Sequence, residues 1–529
     1  MVDHHWWQDG VFYQVYPRSF LDTNNDGIGD LPGVTARLDY LSGLGIDAIW
    51  LSPFYPTPDA DFGYDISDHT QVDARFGTMQ DFDNLLEKAH TCGIRVVLDL
   101  VLNHTSDRHA WFIESRSNLT NPKRDWYLWR DKKNNWQSES GGSGWTYDAK
   151  TRQYFYHSYL PEQPDVNWHN PEVRKAQLDV VQFWLDRGVD GFRLDVFNVC
   201  FKDPEFKDNP AQFGLRKFDQ QKHLYDSDRP EMIPLLNDLR TLLDGYPDTY
   251  AVGETFMPTT EKSARYVGDD LLHAAFSFDF SANKIFFPWK PGWLLKQIDL
   301  RENIFQEARW PTTVMSNHDL PRAATRYSPN EDDSQAQLAM ALLLTLRGTP
   351  FLYYGEEIGM RNIHLKRNQI MDPPGKRYWP LYKGRDGCRS PMQWDGSTFA
   401  GFSSIQPWLP VHPDHNIRNV SSQEQTPDSL LNFTRKLISM RKKYPALQLG
   451  DFTPLAARSR QVLAYLRSFE SQTILVAFNF SRRRTLIVLE PHLTRRSWYS
   501  LHPDTKNEPQ ILNPFELPAH AIRILVAEN

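Results

Sequence analysis

Short apolar runs alternate along most of the chain with longer segments whose apolar residues recur every three or four positions. The runs are rich in Val, Ile and aromatic residues, a composition typical of buried strands. They predict strands at residues 10–16, 46–51, 94–101, 190–197, 249–254, 274–279, 311–317 and 349–355. Eight strands separated by helices predict an α/β fold, most simply a closed (β/α)₈ TIM barrel.

The segment from Met79 to Cys92 shows the helical pattern of the intervening segments. Its apolar residues fall at i, i+3, i+4 and i+7, on one face of a helix: Phe82, Leu85, Leu86 and Ala89. Gly93 directly follows this segment. Because glycine adopts the left-handed backbone conformation without strain, we expect it to end the helix before the next strand.

Two segments are too long to be ordinary barrel loops. Residues 104–168 are rich in Trp, Asn, Gly and Ser, which predicts an inserted domain after the third strand. Residues 356–428 carry many Pro and Gly without clear periodicity, which predicts a long irregular insertion after the eighth strand. Segments of this length in a compact domain usually form lids or pocket walls. The barrel itself is then expected to consist of residues 1–103 and 169–445.

Residues 446–529 have a different texture. After a predicted helix at 430–443, apolar runs follow one another without helices between them: 462–466, 473–478, 485–489 and 521–525. Successive strands of this kind pair antiparallel, so we predict a C-terminal β-sandwich.

Composition narrows the possible partners. The chain has 529 residues, 40% apolar and 24% charged, with a net charge of −7. Mild acidity without a long basic block argues against nucleic acid or an anionic membrane as partner. The longest nearly apolar run, residues 338–346, is too short to cross a membrane, and the first residues lack the pattern of a secretory signal. Three scattered cysteines suit a reducing compartment. These features make a cytoplasmic enzyme the default expectation, with its oligomeric state left open.

Acidic residues stand at or near the ends of four predicted strands: Asp99, Asp195, Glu254 and Asp319. In a TIM barrel the carboxyl ends of the strands form one face, where the chemistry occurs. Arg193 and Asp195 are two positions apart, so on a strand they point the same way. One alternative is a structural ion pair. Four strands ending in acids instead favour a single convergent site.

The residues around these acids resemble known motifs. The stretches Asp99-Leu-Val-Leu-Asn-His104, Gly191-Phe-Arg-Leu-Asp195, Gly253-Glu254 and Asn317-His-Asp319 resemble the four motifs of the α-amylase family of glycoside hydrolases, in order and spacing. Gln163-Pro-Asp-Val-Asn-Trp168 resembles a further motif of its oligo-1,6-glucosidase subfamily, which usually has Leu where Val166 stands. The subfamily also often has Phe in place of Ser140, so the resemblance does not determine which aglycone the site accepts.

The resemblance implies a role for each acid in retaining hydrolysis, which needs a nucleophilic carboxylate and a protonated carboxyl group. It makes Asp195 the nucleophile and Glu254 the acid/base. Arg193 is expected to keep Asp195 ionised by charge pairing. The counterpart of Asp319 in the family binds sugar hydroxyls and supports the positive charge that develops at the anomeric carbon.

The same resemblance implies the rest of the sugar pocket. His104 and His318 are expected to donate hydrogen bonds to the sugar, and Tyr64 to stack on its face. Asp65 and Arg389 are expected to pair at a closed end of the pocket, with a surface salt bridge as the alternative. A closed end implies that glucose is removed from the chain end, which is exo action.

A run of oxygen-bearing residues follows the first predicted strand. Asp22, Asn24, Asp26, Ile28 and Asp30 stand at alternate positions, with Gly27 at position six as in an EF-hand loop, but the bidentate Glu of that motif is missing. The run resembles the structural calcium loop of bacterial oligo-1,6-glucosidases, in which the residue at Ile28 binds through its carbonyl. The alternative is a plain Asx-rich turn.

These features together predict a retaining exo-α-glucosidase acting on short α-glucosides, with structural Ca²⁺ and no organic cofactor. Val196, directly after the predicted nucleophile, matches the residue that accompanies α-1,6 preference in the family. The alternatives are a transglucosylase, a sucrose-acting or α-1,4-specific relative, and, from a different class, a non-catalytic relative of transporter heavy chains.

Overall fold

The structure is a computed structural model. It describes residues 5–528 except 258, 279–288, 307–308, 329–331, 457–458, 489–492, 494–495, 504–507 and 510–513.

Eight parallel strands close into a barrel, which confirms the predicted fold class. In chain order they are Phe12–Val15, Ala48–Leu51, Arg95–Val101, Gly191–Asp195, Tyr250–Gly253, Ala274–Ala275, Trp310–Val314 and Thr349–Tyr353. Each strand pairs with the next one in this order, and the first pairs with the eighth. All eight lie within or overlap the predicted runs. The sixth is much shorter than predicted, and residue 279 of its predicted range lies outside the described residues.

The register of the central strands places the motif residues side by side. Asp99 pairs with Arg193, and Val101 pairs with Asp195, across the third and fourth strands. Gly191 has no room for a side chain, since a Cβ atom there would lie 2.0 Å from the Tyr250 carbonyl oxygen of the fifth strand. This close approach brings the fourth and fifth strands together.

Helices precede, separate and follow the barrel strands. They are Trp6–Asp9, Leu31–Ala36, Leu38–Leu44, Met79–Thr91, Pro171–Asp186, Met232–Asp244, Thr260–Ala264, Pro291–Ile304, Ala323–Tyr327, Asp333–Thr345, Leu430–Lys443 and Pro445–Gln448, with 3₁₀ turns at Pro17–Ser19 and Phe197–Val199. The helix from Met79 buries the four predicted apolar residues. Gly93 follows it with φ = 73°, so the glycine takes the left-handed conformation expected of a helix end.

The segment between the third and fourth strands contains a three-stranded antiparallel sheet, with strands Trp129–Arg130, Trp145–Asp148 and Gln153–Tyr156. It also holds the helix Ala110–Ser115 and the 3₁₀ turn Arg124–Trp126. The segment is tied to the barrel at its end, where Lys202 Nζ lies 2.7 Å from Asp165 Oδ2 and Trp168 Nε1 donates to the Leu102 carbonyl oxygen at 2.9 Å.

The described residues of the segment 356–428 form short helices and turns connected by irregular chain: Arg367–Gln369, Pro373–Tyr378, Asp386–Cys388, Pro413–Asn416 and Val420–Glu424. The predicted domain boundaries at residues 103, 168 and 445 stay predictions.

The C-terminal part is antiparallel β-structure, as predicted. Five strands form one sheet: Asp451–Pro454, Val462–Phe469, Gln472–Asn479, Tyr499–His502 and Ile522–Glu528. Thr485–Ile487 and Phe515–Leu517 form a second, two-stranded sheet; residue 489 of the predicted run lies outside the described residues. Alternate residues of the large sheet bury opposite faces. Leu463 and Tyr465 join the core shared with the barrel, whereas Val462 and Ala464 pack in a separate core with Phe515.

Among the residues that the structure describes, no helix is both long enough and apolar enough to cross a membrane.

Candidate active site

A single buried arginine organises the carboxyl ends of the central strands. The Arg193 guanidinium donates to Asp99 Oδ1 at 2.6 Å and to Asp195 Oδ1 at 2.8 Å. It also donates to Glu254 Oε2. Arg193 is completely buried, so this one cation holds three carboxylates from three neighbouring strands at one point.

Exposure separates the acids that a substrate can reach from the one that it cannot. The side chain of Asp99 is 0% exposed, and it also accepts hydrogen bonds from Trp50 Nε1 at 3.1 Å and the Tyr64 hydroxyl at 3.0 Å. The side chains of Asp195 and Glu254 are 11% and 13% exposed. Asp99 therefore fixes Arg193, whereas Asp195 and Glu254 present oxygen atoms to the pocket.

Burial and neighbouring charges act on the two acids that contact Arg193. Burial raises the pKa of Asp195 well above its ordinary value, and the charges of Asp99, Glu254 and Asp319 raise it further. Arg193 acts in the opposite direction and lowers the pKa of Asp195, as predicted. Burial likewise raises the pKa of Glu254, against Arg193. The predicted charge pair of Arg193 and Asp195 does form, but one cation is shared among several carboxylates, and the expectation that it keeps Asp195 ionised stays a prediction.

Asp319 lies in a contrasting environment. Its Oδ1 accepts from Arg389 Nη2 at 2.9 Å and from Arg385 Nη1 at 3.2 Å. Burial alone would raise the pKa of Asp319, but His318, Arg385 and Arg389 pull it well below its ordinary value. With a side chain 34% exposed, Asp319 is an ionised carboxylate that faces the pocket.

The two predicted histidines are buried beside these acids, where burial favours the neutral ring. Gln14 Nε2 lies 2.8 Å from His318 Nδ1, so His318 accepts there and carries its proton on Nε2, which lies 3.4 Å from Asp319 Oδ2. Burial lowers the pKa of His318 to about 3. Tyr64 stacks on this ring at a centroid distance of 5.1 Å. His104 Nε2 lies 3.1 Å from the Tyr64 carbonyl oxygen, and burial lowers the pKa of His104.

The predicted pair of Asp65 and Arg389 does not form. Asp65 is fully buried, and its two oxygens accept the backbone N–H groups of Ala60 and Asp61, each at 2.9 Å. Arg389 instead donates to Asp319 and, through Nε at 2.8 Å, to the His318 carbonyl oxygen. The Asp65 carboxylate therefore stabilises its own loop, because both of its oxygens already accept backbone N–H groups.

Asp61, in the same loop as Asp65, forms an ion pair with Arg385. Arg385 Nη2 donates to Asp61 Oδ1 at 2.5 Å, and the same guanidinium contacts Asp372 at 2.7 Å. Both Asp61 and Arg385 were missed by the sequence interpretation, as was the supporting role of Asp99. A signal was present, because Asp61 stands in the same short loop as Asp65 and Arg385 lies four residues before Arg389.

Val196 follows Asp195 in an unusual backbone conformation. Its φ and ψ are 30° and 40°, in the left-handed region, and it opens the 3₁₀ turn Phe197–Val199. A β-branched residue in this region is strained, at a cost of about 1–3 kcal/mol. Val196 is partly exposed. The strained turn aims the chain sharply away from the strand directly after Asp195.

The loop predicted to bind calcium folds as a compact turn. Asp22 accepts the backbone N–H groups of Asn25 and Gly27 at 2.7 and 2.9 Å, and Asp30 caps the following helix at Gly33. Burial raises the pKa of Asp30, and the charge of Asp22 adds to this. A cation would relieve that repulsion.

The described part of the chain contains no group of three His, Cys, Asp or Glu side chains that could hold a metal ion. Calcium binding would therefore need the amide oxygen of Asn24 and the carbonyl oxygen of Ile28 beside Asp22, Asp26 and Asp30, and it stays a prediction.

The fold and this cluster define a class: a TIM-barrel enzyme whose reachable groups are carboxyl groups, as acid–base chemistry on a small polar substrate requires. Residues 14–450 match the family described as "Alpha amylase, catalytic domain", and residues 452–524 match "Maltogenic Amylase, C-terminal domain". The chain belongs to the α-amylase family of glycoside hydrolases.

Similar proteins are known over nearly the whole chain. A "Probable alpha-glucosidase" of Rhizobium meliloti (strain 1021) is 44% identical over 503 residues, 90% of each chain. An "Oligo-1,6-glucosidase" of Parageobacillus thermoglucosidasius is 36% identical over 563 residues, covering 98% of this chain and 99% of that one. The solved structure of the "alpha-glucosyl transfer enzyme, XgtA" superimposes with a TM-score of 0.93 at 41% identity, covering 99% and 100% of the two chains.

Replacing Asp99 by Asn tests the shared charge at Arg193. The Asp99 charge raises the pKa of both Asp195 and Glu254, so its removal should lower both and move the pH profile of kcat/KM to lower pH, by about one unit. Hydrolysis of p-nitrophenyl α-glucoside at a series of pH values measures this. Asp148→Asn, at a buried acid of the inserted segment, should leave the profile in place. A weaker but unshifted profile for Asp99→Asn would contradict the shared-charge explanation.

Chelation tests the predicted calcium loop. If Ca²⁺ binds the folded chain alone, EDTA should lower the melting temperature, because binding contributes ~2.7 kcal/mol at a hundredfold excess over Kd. Asp26→Ala should melt like the chelated protein and no longer respond to EDTA. Identical melting of all four samples would show that the loop is an Asx-rich turn without metal.

Proposed function

We propose that the protein is a retaining exo-α-glucosidase that releases glucose from the non-reducing end of short α-glucosides. The observation that carries this proposal is the placement of Asp195 and Glu254 on one buried guanidinium, each with part of its side chain open to the pocket. Two carboxyl groups that touch one guanidinium are neighbours, which suits the separation of about 5–5.5 Å that retaining enzymes use.

In the proposed mechanism a carboxylate oxygen of Asp195 attacks the anomeric carbon of the terminal glucose. The bond from that carbon to the leaving oxygen breaks, and Glu254 gives its proton to the leaving group. A water molecule, deprotonated by Glu254, then attacks the glucosyl ester and frees Asp195. The raised pKa of Glu254 suits the acid step, because the group retains its proton at higher pH than an ordinary glutamate.

Asp319 supplies the remaining charge in this proposal. It stays ionised beside Arg385 and Arg389, so it can accept hydrogen bonds from sugar hydroxyl groups and stabilise the positive charge that develops on the sugar ring. His318 presents its Nε2–H beside Asp319, and the ring of Tyr64 stacks on the imidazole of His318. His104, Arg389 and Val196 complete the proposed substrate-binding set.

The closed end of the pocket is assigned to Asp61 and Arg385 in place of the pair of Asp65 and Arg389. The ion pair of Asp61 and Arg385 joins the loop after the second strand to the long segment 356–428. Because Arg385 also contacts Asp319, the pair stands next to the reacting groups. We infer that it prevents a long glucan from passing through.

For linkage we propose oligo-1,6-glucosidase-like specificity, supported by Val196 and by the named activity of the Parageobacillus relative. Transfer of glucose to an acceptor other than water is the second candidate function, because a protein named as a transfer enzyme superimposes on the whole chain. Rates on isomaltose, maltose and sucrose, with products separated into free glucose and transfer products, distinguish the sucrose-acting and α-1,4-specific alternatives.

Substitutions at the two acids test the mechanism. Asp195→Asn should abolish turnover while the protein stays folded, because the amide keeps the volume but cannot attack the anomeric carbon. Glu254→Gln should lose much less activity on p-nitrophenyl α-glucoside than on isomaltose, since a good leaving group needs little acid assistance. Activity of Asp195→Asn within tenfold of wild type, or equal losses of Glu254→Gln on both substrates, would refute the respective assignment.

Product analysis tests the closed end. On isomaltotetraose and maltotetraose the first product should be glucose, and soluble starch should be nearly untouched. Arg385→Ala leaves Asp61 and Asp372 without their cation. It should lower kcat/KM by the factor that corresponds to a loss of about 2–5 kcal/mol of transition-state binding. Arg377→Ala, at an exposed arginine of the same segment, is the control. Disaccharide appearing before glucose in the wild type would mean an open cleft.

A further inference from the structure

A buried glutamate that takes no part in the proposed chemistry lies directly behind the turn that carries His318 and Asp319. Glu356 follows the eighth barrel strand and is only 6% exposed. It lines a small cavity of about 10 Å³, room for at most one water molecule. The other residues of the lining are apolar: Met315, Ala323, Ala324, Ala336, Ala339, Met340, Leu343 and Met360. A carboxyl group in such surroundings is costly unless its hydrogen bonds are specific.

The hydrogen bonds of Glu356 connect two barrel strands at their carboxyl ends. Its Oε2 accepts the backbone N–H of Tyr353 at 2.9 Å, within its own strand end. Its Oε1 accepts the hydroxyl of Ser316, which lies just beyond the seventh strand. Ser316 directly precedes Asn317, His318 and Asp319. The carboxyl group therefore anchors the first residue of the turn.

The rest of that turn is held by contacts that depend on its starting position. Asn317 Oδ1 accepts the N–H groups of Asp319 and Leu320, both at 2.9 Å. Arg389 Nε donates to the His318 carbonyl oxygen at 2.8 Å. A shift at Ser316 would thus be transmitted to Asp319 and to its contacts with Arg385 and Arg389.

We propose that Glu356, in its ionised form, is a positioning residue that holds the turn from Ser316 to Asp319 in register with the substrate. It acts through Ser316 and touches no reacting atom. The inference rests on the proposed function, because the effect is transmitted to the sugar through Asp319.

The charges around Glu356 make this role depend on pH. Burial raises the pKa of Glu356 to about 7, while the Ser316 and Tyr353 hydrogen bonds and the charges of Arg322 and Arg326 lower it. The charge of Glu356 in turn raises the pKa of the Tyr327 hydroxyl. The helix Asp333–Thr345 contributes only apolar side chains to the cavity. Both carboxylate oxygens of Glu356 accept hydrogen bonds. A proton bound to the carboxyl group near neutral pH therefore competes with one of these donors and weakens the hold on Ser316.

Stability should respond in the opposite direction. A carboxyl group whose pKa is higher in the folded state than in the unfolded state stabilises the protein below its unfolded pKa, and this contribution is lost as pH rises through the folded value. The ionised form that positions Asp319 is thus kept at a cost to stability. A residue with a purely structural role would not separate stability from activity in this way.

Glu356→Gln tests the proposal, because glutamine has the shape of the protonated acid at every pH. We measure kcat/KM for p-nitrophenyl α-glucoside, the Ki of D-glucose as a neutral competitive inhibitor, and the melting temperature, at pH 5.5 and pH 8.5. At pH 5.5 the variant should match wild type. At pH 8.5 it should show about tenfold lower kcat/KM and about tenfold weaker glucose binding, with a melting temperature equal to or above that of wild type.

Ser316→Ala, a smaller change that removes the transmitting hydroxyl, should reproduce the loss at pH 8.5 and serves if Glu356→Gln does not fold. Glu357→Gln is the matched control, since Glu357 is also buried but accepts from the hydroxyls of Tyr13 and Tyr40. The ratio of kcat/KM of Glu357→Gln to that of wild type should be the same at both pH values.

The proposal is overturned if the ratio of kcat/KM of Glu356→Gln to that of wild type is equal at both pH values. It is also overturned if the loss of activity is accompanied by a lower melting temperature. Wild type that hydrolyses no α-glucoside instead refutes the proposed function, so the two failures are distinguishable.

Discussion

The buried guanidinium of Arg193 is the constraint on which the rest of the site depends. A fully buried cation is strongly unfavourable without charged partners, and Arg193 has three, from the third, fourth and fifth strands. These carboxylates in turn need the cation, because they would otherwise repel one another at the barrel mouth. Mutual dependence of this kind fixes the strand ends and leaves little freedom in where Asp195 and Glu254 stand.

The site contains a second cationic centre with the opposite effect on its acid. Arg385 and Arg389 surround Asp319 and lower its pKa, whereas Asp195 shares one arginine with two other carboxylates and has a raised pKa. Two aspartates of one pocket therefore differ in proton affinity because of the number of cations beside each. Asp319 therefore keeps its negative charge readily, whereas Asp195 depends on its contact with Arg193 to carry one.

The barrel and the acids at its mouth could be predicted from the sequence, because strand periodicity is local and parallel strands deliver their ends to one face. The partner of each loop residue could not. Asp61 and Asp65 belong to one short loop, and only the path of the backbone decides that Asp65 accepts the N–H groups of Ala60 and Asp61 while Asp61 reaches Arg385. Likewise, the conformation of Val196 follows from the turn that the fold imposes and not from its residue type, which disfavours that conformation.

The ion pair between Asp61 and Arg385 joins residues 324 positions apart in the chain. A contact of such long range requires the intervening chain to be closed into a loop, so it depends on both segments being in place. A ribosome-bound chain that already contains every barrel strand but not the segment after the eighth still lacks the arginine partner of Asp61. If the pair bounds the pocket as proposed, regain of activity after denaturation requires this distant segment, whereas the return of helical signal does not.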